Sequence, residues 1–372
     1  MSLLRRRIII GMFAFLALAV LTCPIGCLST NESFGSEQML VTTSNGIWRV
    51  NVNNGASQLL IKSAAGKGGI EYYSAKLSPD RRTIVCLASG QGKNSVYSAE
   101  IQRISVGKKP RITGRYQFKD TGNAMELGFF PNKKETIWAL PNAEEGCSQF
   151  LSVADSPSPM SIDVIDFSKI HQIDIRKNFP YFLSFSPDGI HVACSTKETT
   201  IDENDILTSL ASLTSLTSLR IGTLTPSSFK PGEVVLKIGE TKDDQDKTID
   251  GYIGGHAWIS KNKIAVLIFR PKKDNYPCNF DADIWFVELN DHGVRSISRK
   301  FPAQSNPLVA PDGKNILVFR GVLGKGSWFE IYDSEGKFVR RIPNSFDADM
   351  SNVFCWSSPS TKVASPPTPT TR

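Results

Sequence analysis

Histidine is scarce in this chain, with four in 372 residues, and no two of them share a motif. No H-E-x-x-H, G-x-S-x-G or phosphate-binding G-x-x-x-x-G-K-[ST] pattern occurs. Zincin, nucleophile-elbow and P-loop chemistry therefore have no support in the sequence. Cysteine is sparse as well: of seven, Cys23 and Cys27 lie near the N-terminus and five are scattered through the body. An odd number at irregular spacing is not a disulfide framework, and without a C-x-x-C pair the usual zinc and thioredoxin-like patterns are missing. An excess of charge is lacking too. Net charge is +7, but Arg5, Arg6 and Arg7 supply three of those charges, leaving 40 basic against 36 acidic residues. No basic run with interleaved aromatics is present, so nucleic acid is not an expected partner.

Only one long apolar run exists. Ile8 to Leu21 follows the basic Met1–Arg7 and is 14 residues long, the length of an export signal and short for a membrane span. Thr22-Cys23-Pro24-Ile25-Gly26-Cys27 comes next. A cysteine just after such a run resembles a bacterial lipoprotein signal, in which the cysteine becomes the lipidated first residue. Gly26 favours Cys27 as the attachment residue over Cys23. Ordinary cleavage near residue 29 and an uncleaved anchor are the alternatives. Each exports the chain, so a periplasmic or membrane-anchored location is expected, with membrane contact through the N-terminal lipid or anchor. Residues 1–28 read as this signal and 29–37 as a polar tether. Residues 365–372, Ser-Pro-Pro-Thr-Pro-Thr-Thr-Arg, read as a disordered tail.

The body between them repeats. Leu183-Ser184-Phe185-Ser186-Pro187-Asp188-Gly189 with Val192-Ala193-Cys194 reads as strand, tight turn, strand. Proline presets φ at the second turn position and glycine tolerates the left-handed closing position. Related hairpins turn at 79, 131, 187, 260, 311 and 359, a period of about 50 residues. Second hairpins follow, as in Ala282–Leu289 with Asn290-Asp291-His292-Gly293, and Trp328–Tyr332 with Asp333-Ser334-Glu335-Gly336. Four strands per unit make a propeller blade. The expectation is an all-β, six-bladed β-propeller of four-stranded blades over residues 38–364. Its ring is closed by strands from both termini: a third and fourth strand at 46–62, and a first and second at 353–364. Cys86 and Cys194 stand seven residues after a turn proline and are expected to be buried.

The apolar-x-apolar-Ser-Pro-Asp-Gly pattern, with two apolar residues following, resembles the WD-like repeat of TolB-type six-bladed propellers over roughly residues 40–365. The resemblance implies the fold. It leaves the function open, because related propellers serve as periplasmic protein-binding modules and as gate domains of serine peptidases. TolB has an additional N-terminal domain and the peptidases a hydrolase domain, and neither is expected here.

Candidate sites lie where the repeat is irregular. Segments 196–217, 239–256 and 270–283 are expected on one sector of one face, around blades 3 and 4, because links after second and fourth strands share a face. Arg270, Lys272, Lys273 and Tyr276 offer cationic and aromatic groups to an envelope protein or peptide. His256 and Trp258 are expected to line the central channel. Asp281 with Asp283 and Asp347 with Asp349 are carboxylates two apart, which point to the same side of an extended chain and suit Ca²⁺. No other cofactor is expected, and no catalytic residue is assigned. The functional expectation is a monomeric, non-catalytic binding propeller. The alternative is a metal-assisted hydrolase or lactonase at the channel mouth, using His256 and the acidic pairs.

Overall fold

The computed structural model describes residues 35, 37–43, 45–63, 70–91, 97–107, 109–117, 124–129, 137–141, 164–165, 181–197, 216–225, 228–271, 280–322, 326–343 and 353–356. They form strands and turns, with no helix among the described residues. The chain opens with β1 (Gln38–Thr43), β2 (Gly46–Asn51) and β3 (Ser57–Lys62). Blade 1 follows as β4 (Ile70–Leu77), β5 (Thr83–Gln91), β6 (Tyr97–Ser105) and β7 (Arg111–Gln117). Next are β8 (Ala124–Phe129), β9 (Ile137–Pro141) and β10 (Val164–Ile165). Blade 3 is β11 (Tyr181–Phe185), β12 (Val192–Lys197), β13 (Leu216–Thr225) and β14 (Ser228–Lys237). Blade 4 is β15 (Tyr252–Ser260), β16 (Lys263–Pro271), β17 (Phe280–Asn290) and β18 (Gly293–Pro302). Blade 5 is β19 (Leu308–Val309), β20 (Asn315–Val322), β21 (Gly326–Asp333) and β22 (Phe338–Pro343), and β23 (Val353–Trp356) ends the described chain.

Blades 1, 3, 4 and 5 are antiparallel meanders in chain order, and the closing sheet runs β23-β1-β2-β3. First strands stand side by side around the ring: β23 beside β4, β4 beside β8, β11 beside β15, β15 beside β19 and β19 beside β23. Side-by-side first strands with outward meanders are the geometry of a propeller.

Two expectations change. Among the described residues five sheets have four strands, where six blades were expected. The unit at 124–165 has three, and β10 is two residues long and parallel to β9, with Val164 opposite Ile137. A meander needs antiparallel returns through short turns. Residues 142–163 instead carry Ser156-Pro157-Ser158-Pro159 and no Asx-Gly turn, and proline cannot donate to a ladder. The closing sheet also divides differently, one strand from the C-terminal end and three from the N-terminal end. The extra strand is β1. β23 and β2 pair with its edges, and its Met39-Leu40-Val41 is buried on both faces because blades 5 and 1 pack on either side, so its sequence is a continuous apolar run without alternation.

The cores are apolar layers between successive sheets, and strand alternation assigns each residue to a layer. Met39 and Val41 pack against Leu317, Phe319 and Phe329 of blade 5, whereas Leu40 and Ile47 pack against Ile84 and Cys86 of blade 1. Ile264, Val266, Trp285 and Val287 meet Leu219 and Leu236 of blade 3, while Ala265, Leu267 and Phe286 meet Ile316 and Val318 of blade 5.

The Ser-Pro-Asp-Gly turns have the expected chemistry. Ser186 Oγ donates to Asp188 Oδ1 at 2.5 Å and accepts from the His191 backbone N–H at 3.0 Å. Gly189 closes the turn at φ 70°, its N–H bonded to Ser186 O at 2.8 Å. Cys86 and Cys194 are fully buried, and burial pushes both thiols upward, Cys194 to about 12. Both are expected to resist thiol alkylation in the native protein and to label only on unfolding, as read by peptide mass mapping.

Candidate functional site

The first place to look is the innermost strand of blade 4. His256 on β15 is buried, and its Nδ1 lies 2.7 Å from Ser184 Oγ on β11 of blade 3. Trp258, two residues on, donates its indole N–H to Ser184 O at 3.0 Å and packs into the apolar layer between the two blades. Burial alone lowers the His256 pKa to about 3, so the ring is neutral. Its Nε2 is buried without a partner among the described residues. The two side chains expected in the channel are therefore a junction between blades 3 and 4. Next to them Gly255 N–H bonds Asn306 Oδ1 ahead of blade 5, at 2.8 Å. A side chain at 255 has no room, since a Cβ there would sit 2.2 Å from the Asn306 side chain. Replacing Ser184 with alanine strands a buried imidazole nitrogen, and is expected to cost about 1–2 kcal/mol in urea denaturation at neutral pH.

The second place is the face where links leave the second and fourth strands. On blade 4 the side chains turned toward blade 3 are apolar for most of the sheet: Ile264, Val266 and Ile268 on β16, Trp285 and Val287 on β17, Ile297 on β18. The same rows then end in charge. Asp283 of β17, with a side chain only 2% exposed, receives the Arg270 guanidinium of β16 on one oxygen and that of Arg299 of β18, at 2.8 Å, on the other.

Over this trio lies the linker between blades 3 and 4. Lys242 and Thr248 form an antiparallel bridge, and the Asp243 N–H bonds Lys247 O at 2.9 Å. Asp243 Oδ1 accepts the N–H groups of Gln245 and Lys247, each at 2.9 Å, which stiffens the tip. Ile249 inserts into the apolar layer and Asp244 N–H bonds Ile297 O of β18 at 2.9 Å, so the linker is pinned to the sheet it covers. Between linker and sheet is a cleft of about 550 Å³. Asp243, Asp244, Asp250 and Lys247 line it from the linker, and Arg270, Asp283, Trp285, Arg299 and Lys300 from blade 4.

The sequence-derived candidates distribute as follows. Arg270 and Asp283 come together, as an ion pair. Asp281 is exposed, two residues before Asp283 on β17. Lys272, Lys273, Tyr276, Asp347, Asp349 and Cys27 lie outside the described residues. Among the described residues no three His, Cys, Asp or Glu side chains gather as a metal-binding group. Of the expected sector 196–217, 239–256 and 270–283, residues 239–251 form the linker over blade 4, 252–256 belong to β15, and 198–215 and 272–279 lie outside the described residues.

Sequence reasoning passed over the repeated acid itself. Glu100-Ile101, Asp283-Ile284 and Glu330-Ile331 each put a carboxylate near the start of a third strand, ahead of a buried isoleucine. Fourth-strand arginines answer them: Arg115 to Glu100 at 3.6 Å, Arg299 to Asp283, and Arg341 to Glu330 at 3.0 Å. In blade 5 burial pushes Glu330 upward. Hydrogen bonds from Trp328, Tyr332 and Arg341, with Arg320 nearby, outweigh it and hold the carboxyl below its usual range. The signal was available as acid-isoleucine pairs in register with the blades.

These sheets define a β-propeller built of four-stranded blades. No family model matches the chain, and no curated protein matches its sequence. Among solved structures, it is similar to TolB from Acinetobacter baumannii, at 12% identity over 87% of this chain and 68% of that one, with a TM-score of 0.48. It is also similar to the Cps50 (Swd1) β-propeller domain of Myceliophteria thermophila, at 10% identity over 87% and 94% of the two chains, with a TM-score of 0.44. The GH74 enzyme of Niastella koreensis matches at 12% identity over 87% of this chain and 53% of that one, with a TM-score of 0.44.

Proposed function

We propose that this chain is an exported, non-catalytic propeller that binds a protein or peptide of the cell envelope in the cleft between the blade 3–4 linker and blade 4. The observation that carries the reading is the cleft itself: a roofed cavity of about 550 Å³ with charges of both signs, built by an irregular linker on a regular scaffold. Mixed charge around a partly apolar floor suits a peptide, which presents backbone, charged and apolar groups together. The basic start, the apolar run and Cys27 support export with lipid attachment at that cysteine.

The alternative reading is a metal-assisted hydrolase or lactonase at the channel mouth, using His256 and the acidic pairs; His256 is buried and bonded to Ser184, and Asp347 and Asp349 lie outside the described residues.

The test is site-specific photocrosslinking in intact cells. A photoreactive residue at Lys247, beside the cleft, is expected to give a discrete adduct. The same residue at Ile190, 61% exposed on the tight-turn face, is expected to give none. Equal adducts from both positions, or none from Lys247, would rule the cleft out as the contact surface.

A further inference from the structure

The acid on the third strand recurs in three blades, and its surroundings differ in one respect. In blade 1 the residue two positions after the acid donates to it, Gln102 Nε2 to Glu100 Oε1 at 2.5 Å. In blade 5 the same position does the same, Tyr332 O–H to Glu330 Oε2 at 2.8 Å, and Trp328 Nε1 also donates to Glu330 at 2.8 Å. Blade 4 breaks this rule. Trp285 holds the equivalent position, is 5% exposed and lines the cleft, yet its indole N–H has no acceptor among the described residues. Arg270 Nε is likewise buried and unpartnered there. A buried donor without an acceptor is costly, and native structures rarely leave two together.

Both orphans are donors, so the missing group is an acceptor. Charge narrows it further. Arg270 and Arg299 together carry one positive charge more than Asp283 neutralises, and that excess is half-buried at the cleft. Across the whole lining Asp243, Asp244, Asp250 and Asp283 balance Lys247, Arg270, Arg299 and Lys300, which disfavours a dianion. A planar monoanion with two acceptor oxygens fits a guanidinium and an adjacent N–H.

We propose that the floor of this cleft is a carboxylate subsite, in which Arg270, Arg299 and the Trp285 indole N–H receive a carboxylate of the bound peptide. The proposal rests on the cleft being the binding site and adds what it selects. Asp283 acts as the positioning residue, holding one terminal nitrogen of each guanidinium on its two carboxylate oxygens.

The test is titration of the ¹⁵N-labelled full chain, read at the indole N–H resonances of its six tryptophans. Trp285→Phe removes one resonance and assigns it. Arg299→Gln, at a half-exposed position, assigns it independently by perturbing the same resonance. The probes are N-acetylalanine, N-acetylalaninamide and inorganic phosphate. The Trp285 resonance is expected to shift saturably with the acid and to stay in place with the amide. Arg299→Gln is expected to weaken the acid about tenfold, the weight of one charge-assisted hydrogen bond. A shift with the amide equal to that with the acid would keep the cleft as a binding site and overturn its choice of carboxylate. Saturation by phosphate at lower concentration than by the acid would overturn it in favour of a phosphate site. No response of Trp285 to the acid would overturn the subsite outright, leaving the peptide reading to be decided by the Lys247 crosslink.

Discussion

Acidification from pH 7 to pH 4 is expected to destabilise the fold by about 3 kcal/mol through His256 alone. The imidazole's folded pKa is lowered to about 3 by burial, against an ordinary value of 6.5. Between those values the unfolded chain binds a proton that the folded chain refuses. The stabilisation is therefore complete above pH 6.5 and falls by about 1.4 kcal/mol for each further unit of acidification. Glu330, held below the usual carboxylate range, weakens the fold in the same direction at more acidic pH. The informative quantity is thus a difference between proteins. Urea denaturation of the wild type and His256→Gln at pH 7, 5.5 and 4 is expected to show the wild type losing about 3 kcal/mol more than the variant. Parallel pH profiles for the two proteins would show that His256 does not sit neutral at the junction.

Asp283→Ala is expected to cost about 2 kcal/mol. A carboxylate removed from a fully buried pair leaves its partner uncompensated, at about 3–5 kcal/mol. Here the side chains of Arg270 and Arg299 are 34% and 52% exposed, so water screens part of that penalty. Arg299→Ala, the more exposed partner, is expected to cost less than 1 kcal/mol, at about the value of a surface pair. Asp281→Ala, exposed two residues earlier on the same strand, should stay within about 0.5 kcal/mol of wild type. The measurement is the urea midpoint at constant m-value. If the Asp283 and Asp281 variants were equally stable, the trio would be a surface feature and not the end-cap of a layer.

The propeller was legible because its hairpins carry their own geometry. Ser186, Asp188 and Gly189 bond one another within a few residues, so the turn is local and its recurrence can be counted. Alternation could not reveal β1, since a strand buried on both faces has no polar side to alternate with. At 124–165 the hairpin signal, Gly128 to Trp138, is followed by a sequence without an Asx-Gly turn, and the described residues there form three strands.

The site was half legible. Irregular linkers pointed to blade 4, and Arg270 was singled out for its charge. Its use was hidden, because Asp283 and Arg299 reach it across two strand pairings, and sequence spacing carries no trace of a neighbour on the next strand. The bond of His256 was hidden in the same way. An innermost strand has two sides, and only the position of Ser184, 72 residues earlier, decides which one the imidazole takes.

The sheet shared by the two ends sets the order of assembly. β1 has β2 available at once, but its other edge waits for β23, which begins 310 residues after Thr43, at Val353. Until then a row of backbone donors and acceptors on an apolar strand stays open, able to pair with the same edge of another copy. A chain stopped before Val353 would keep every other sheet and still carry that open edge. Its fault would be self-association, and the last four described residues act as a built-in guard against it.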